Sequence, residues 1–204
     1  MSFQSASGAV LNRRVAGEGD LLLTLFLRGS GMVFVSARGG GAGKVRFGGG
    51  TEPLMWGTFS LYEGRGGRRH LRSADTADDM LKLRSRPEAL FAAVRWAKLL
   101  MRRLPPEHPS DDLLANFYWN MKLLDGGFPA AAAEWRFLWR WLKSWGLAPD
   151  LSEFSGVPEA DLGLLREVAA AKAPGAFADW DALAARSRLF ADASRRAEFF
   201  LAEI

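Results

Sequence analysis

The chain has 204 residues, 49% of them apolar, and no cysteine. It is long enough to bury a core, too apolar for wholesale disorder, and unable to form disulfides, thiolate metal sites or a cysteine nucleophile. The formal net charge of +4 is uneven: 10 Lys/Arg stand against 5 Asp/Glu over residues 1–77, 11 against 8 over 78–145, and 6 against 10 over 146–204, so the front of the chain favours an anionic partner.

Residues 1–77 hold 16 of the 22 glycines and a series of short apolar runs. Val10-Leu11 to Val15, Leu21 to Leu27, Met32 to Val35, Leu54 to Tyr62 and Arg68 to Ala74 read as strands. Gly17-Glu18-Gly19-Asp20, Gly29-Ser30-Gly31 and Gly64-Arg65-Gly66-Gly67 are turns between them. Four or five short strands in so few residues predict a small barrel of the OB-fold type, whose face and loops commonly bind oligonucleotides.

Beyond residue 77 the period becomes helical. Helices are expected from Pro87 to the residues before Pro105-Pro106, from about Ser110 to Gly126, from Pro129 to Gly146, from about Pro158 to Lys172, and from Trp180 to Ala202. The fold class is therefore α+β: an OB-fold-like β-barrel over 1–77, followed by an all-α helical domain over 78–204. The first twenty residues lack a signal-peptide layout and no apolar run can span a bilayer. A soluble, intracellular chain with no membrane is expected.

The glycine-rich stretch SARGGGAGKVRFGGG (Ser36 to Gly50) resembles a phosphate cradle but fails its rules. A P-loop needs glycine where Arg38 stands and a hydroxyl where Val45 stands. The dinucleotide pattern fails because Lys44 occupies its last glycine position. What remains is a basic loop whose glycines let backbone amides approach an anion. Candidate DNA-binding cations are Arg13, Arg14, Arg38, Lys44, Arg46, Arg65, Arg68, Arg69 and Arg72, with Phe47 and Trp56 as rings for stacking bases.

Three further features carry alternatives. In EWRFLWRWLKSW (Glu134 to Trp145), Trp135 and Trp139 share a face while Arg136 and Arg140 lie largely on another. This segment is either a core helix with a solvated basic side or a partner-binding groove offering aromatic anchors and arginines to an acidic peptide. His70 and His108 are the only histidines and make no metal cluster; His70, among arginines, is expected at the surface as a potential DNA contact. Asp75, Asp78 and Asp79 mark the crossing from barrel to helices, and no catalytic set stands out.

The N-terminal region resembles the bacterial recombination mediator family RecO. The resemblance rests on Val10-Leu11, Arg13-Arg14, Gly17-Glu18-Gly19-Asp20, Leu23-Thr24-Leu25-Phe26, Gly31, Ala37-Arg38-Gly39, the basic Lys44 to Arg46 before Pro53-Leu54, and Gly64-Arg65-Gly66. Trp145 to Leu151 (WGLAPDL) is similar to the family's lead-in to a four-cysteine zinc site, whose first cysteine positions fall at Phe154 and Val157 here, giving a zinc-free variant. The resemblance implies binding of single- and double-stranded DNA without sequence preference, strand annealing, and no cofactor, nucleotide or metal. It implies RecR and the C-terminal tail of single-stranded DNA-binding protein as partners in loading RecA. It also implies a cytoplasmic, nucleoid-associated location. In the family the barrel loops carry DNA-contacting cations, which corresponds to Arg38 and Lys44. The alternatives are a peptide-tail-binding adaptor with little DNA affinity of its own and an enzyme acting on nucleic acid.

Overall fold

A computed structural model describes residues 3–17, 19–41, 46–154, 156–171 and 179–202. Five strands, β1 (Phe3–Ala16), β2 (Asp20–Leu27), β3 (Gly31–Ala37), β4 (Trp56–Glu63) and β5 (Arg69–Asp78), close into a barrel in the order β1-β2-β3-β5-β4. Neighbouring strands are antiparallel except β3 and β5, which meet in parallel at Ser36 and His70. This is the OB-like barrel that the strand pattern predicts.

Alternation explains the barrel. On β2 the side chains of Leu21, Leu23, Leu25 and Leu27 point inward, and Val33, Val35 and Ala37 do the same on β3. They meet Val10, Phe59, Leu61 and Leu71, and Phe47 and Met55 from the long β3–β4 loop close the core. β1 serves two partners: Phe3–Ala9 pair with β4 and Gly8–Ala16 with β2, with a bulge between Val10 and Asn12. The strand turns from one partner to the other at Gly8. A Cβ there would lie 2.1 Å from the Phe26 carbonyl oxygen, so only glycine fits.

Seven α-helices follow among the described residues: α1 (Leu81–Arg84), α2 (Pro87–Arg103), α3 (Asp111–Asp125), α4 (Ala130–Ser144), α5 (Glu159–Ala170), α6 (Trp180–Ala185) and α7 (Ser187–Ala202). The sequence periodicity predicts α2 to α5. It misses the single turn of α1 and joins α6 to α7, whereas the chain leaves the helix at Arg186 (φ −96, ψ 20). Asp179 starts α6 by accepting the Ala182 backbone N–H at 2.9 Å.

Two compact units result: residues 1–81 with 93–118, and residues 82–92 with 119–204. The first is built on the barrel. In the second, α4 is the central helix, packed against α5, α6 and α7. Its Trp135, Phe137, Leu138 and Trp141 are buried. No helix of the described residues is long and apolar enough to cross a membrane.

Candidate nucleic-acid interface

Three segments converge at one end of the barrel. The loop after β3 returns to the β1–β2 turn, where Gly41 donates its backbone N–H to the Gly19 carbonyl at 2.8 Å and Gly39 donates to Asp20 Oδ1 at 2.8 Å. The β3–β5 contact at Ser36 and His70 brings the β4–β5 loop to the same end. That loop is closed by the Gly64 N–H donating to the Arg68 carbonyl at 2.8 Å.

The candidate cations fall into two groups. Arg14, Arg38, Arg46, Arg68 and Arg72 are exposed. Arg46 donates from Nη1 to the Arg38 carbonyl at 2.7 Å and lies over the Phe47 ring, 5.2 Å from its centroid, so these two arginines are held together. Arg13 and Arg69 are engaged within the unit. Arg13 pairs with Glu52, and Arg69 donates to Glu107 Oε1 at 2.6 Å, an ion pair that holds the Glu107 carboxyl below its ordinary range. Lys44 lies outside the described residues, as does the side chain of Arg65.

His70 is not the surface residue that its arginine-rich surroundings suggest. It is only 7% exposed, stacked on Tyr62 with ring centroids 5.1 Å apart, and its Nδ1 has no hydrogen-bond partner among the described residues. A Cβ on Gly64 would lie 2.7 Å from His70 Nε2, so glycine at 64 is what lets the ring in. Burial foremost, then the positive charges of Arg38 and Arg68, push the imidazole pKa below its ordinary value, and Asp20 acts against them. The interior of the arginine-rich end thus holds a neutral histidine.

The rings expected to stack bases are both engaged within the fold, Phe47 buried and Trp56 half-buried. Phe47 belongs to the barrel core, and Trp56 packs against Tyr118 with centroids 4.3 Å apart. Tyr118 in turn donates to Asp78 at 2.6 Å, and burial, with Asp78 beside it, raises the phenol pKa to about 12. Among the described residues, the exposed ring on the barrel strands is Phe34, at the centre of β3 and 59% accessible. Its inward neighbours Val33 and Val35 are the signal that would have found it, since position 34 must then point out. Phe34 pairs in register with Thr24, which pairs with Asn12. Leu22 lies between Arg14 and Ser36 one step along. Asn12, Arg14, Leu22, Thr24 and Phe34, with Met101 of α2, line a groove of about 400 Å³.

On α4 the structure corrects the partner-groove expectation. Trp135 is buried and donates from Nε1 to the Leu165 carbonyl at 2.9 Å. Arg136 is 2% exposed and donates to Asn120 Oδ1 at 2.9 Å and to the Ala171 carbonyl at 2.8 Å. Arg140 reaches the carbonyls of Ala169, Ala170 and Ala171 at 3.0–3.1 Å. Trp139 is half-buried against Trp135, centroids 4.9 Å apart. The two arginines thus serve the carbonyls that the end of α5 leaves unpaired. Burial, with Arg140 beside it, lowers the Arg136 pKa to about 10. With at most 2% of their surface accessible, Trp135 and Arg136 cannot line a groove.

The positions that the zinc lead-in assigns to cysteine do not fit a metal. Phe154 is buried, edge-on to Trp135 with centroids 6.2 Å apart and beneath the Arg196 guanidinium at 5.2 Å, and Val157 offers no donor atom. Among the described residues no group of three or more His, Asp or Glu could hold a metal ion.

Residues 1–79 match the family model described as Recombination protein O N terminal. A DNA repair protein RecO of Heliobacterium modesticaldum is 31% identical over 152 residues, covering 74% of this chain and 55% of that protein. One of Methylococcus capsulatus is 32% identical over 118 residues, covering 58% and 48%. One of Exiguobacterium sibiricum is 27% identical over 147 residues, covering 72% and 59%. The chain spans about half the length of the curated relatives it matches. Residues 1–79 thus combine an OB-like strand order with a match to the N-terminal model of recombination protein O, and the similarity to RecO proteins continues into the helical region.

Proposed function

We propose that this chain binds single- and double-stranded DNA through the basic end of its barrel and anneals complementary strands in recombinational repair. The observation that carries this is the convergence of exposed Arg38, Arg46 and Arg68 on loops at one end of an OB-like barrel. Each guanidinium that neutralises a phosphate releases counterions, so binding draws its free energy from backbone charge and is indifferent to sequence. Annealing requires only that two strands be held close while their repulsion is screened. The work is binding rather than bond-making. In this scheme residues 1–77 hold DNA and residues 78–204 meet protein partners, RecR and the C-terminal tail of single-stranded DNA-binding protein, on the way to RecA loading.

A second reading, an adaptor for acidic peptide tails, is favoured by one feature of the helical unit. A pocket of about 600 Å³ is lined by Phe154, Phe199 and Phe200 together with Arg196, Arg195 and its ion-pair partner Asp192; the rings and Arg196 are the residue types that receive an apolar, acidic segment. Reversing Arg38 and Arg68 to Glu separates the two. Loss of oligonucleotide binding with a folded protein supports the DNA mediator, and unchanged binding contradicts it.

A further inference from the structure

We infer that the outer face of β1–β3 seats an unpaired nucleic-acid base, with the Phe34 ring as its stacking platform and Arg14 beside it for the adjoining phosphate. This rests on the DNA-binding function proposed above and adds to it a means of telling single strands from duplex. A ring at the centre of a strand, 59% accessible, contributes little to the core. Yet Phe34 sits on the groove that runs over β1–β3. Thr24, itself buried, and half-buried Asn12 lie in register beside it, Leu22 is 40% exposed one step along, and Met101 lines the same groove.

The occupant follows from the charge on the same face. Arg14 is exposed, lines the groove, and pairs in register with Leu22, which leads to Ser36 and the arginine-bearing end of the barrel. An apolar ring flanked by a cation suits a ligand that is flat and apolar in one part and anionic in the next, which describes a nucleotide within a strand. Bases inside a duplex are already stacked and paired, so their faces are closed to Phe34. The ring therefore adds affinity for single strands only, while the arginines act on both forms.

The test is fluorescence anisotropy with a labelled oligo-dT and a blunt duplex of equal length, using the full chain, Phe34→Ala, Phe34→Trp and the double variant Arg38→Glu/Arg68→Glu. Phe34→Ala is expected to weaken oligo-dT binding about five- to a hundred-fold, with duplex affinity and the salt dependence unchanged, and Phe34→Trp to restore it. The exposure of Phe34 means the alanine variant should fold, which circular dichroism checks. Equal loss on both DNA forms, or no loss on either, overturns the base seat. If Phe34→Ala changes nothing while the double glutamate variant loses binding, the base seat falls and the DNA-binding function stands. If the unaltered chain binds neither DNA, both fall.

Discussion

His70 is a single imidazole whose environment sets a pH dependence for the whole barrel. Its folded-state pKa lies below the 6.5 of the free side chain because burial and the nearby arginines oppose its charge. The unfolded chain therefore takes up a proton at this residue at a pH where the folded chain does not. Stability at this position is complete above about 6.5 and is lost as the pH falls from there towards the folded-state pKa. The melting temperature should fall between pH 7.5 and 5.5, and His70→Gln should reduce that fall; an identical fall in the variant contradicts this. A second prediction at this scale concerns Gly8. A methyl group at this position would lie 2.1 Å from the Phe26 carbonyl oxygen, so Gly8→Ala must push β1 off β2 and should cost about 3 kcal/mol in urea denaturation. A cost below about 0.5 kcal/mol, the range of ordinary surface changes, would show that the bend tolerates a side chain.

At the scale of elements, α4 depends on its buried arginine. Arg136→Ala removes the guanidinium from the buried Asn120 amide oxygen, leaves the Ala171 carbonyl to Arg140 alone, empties the volume of a buried side chain, and should destabilise the fold by about 3 kcal/mol. Lysine should not restore it, because one ammonium cannot reproduce the fork that meets both acceptors. DNA affinity of the folded fraction should be unchanged, and a selective loss of DNA binding would contradict the structural role of Arg136. This is also where legibility in the sequence ended. The strands were readable because Leu21, Leu23, Leu25 and Leu27 alternate with outward positions, a local signal. Arg136 looked like the solvated side of an amphipathic helix because its acceptor, Ala171, is 35 residues away in sequence. Likewise Arg13 and Arg69 counted as available cations until the fold brought Glu52 and Glu107 to them. The basic character of the barrel was visible in composition, but which arginines stay exposed depends on long-range partners. Phe34 was readable from alternation alone, whereas the packing of Phe47 into the core and of Trp56 on Tyr118 depends on contacts distant in sequence.

For the whole molecule, we propose that exposed arginines on an OB-like barrel hold the DNA backbone. The family match over residues 1–79 and the closed strand order support the same end of the chain. The most direct measurement is the dissociation constant of a labelled oligo-dT from about 50 to about 200 mM salt, for the unaltered chain and for Arg38→Glu/Arg68→Glu. If about four phosphates are neutralised, affinity should fall about fifty-fold across that range, and the double variant should bind at least about tenfold more weakly with a shallower slope. Binding that ignores salt, or a double variant that binds like the unaltered chain, would contradict the claim.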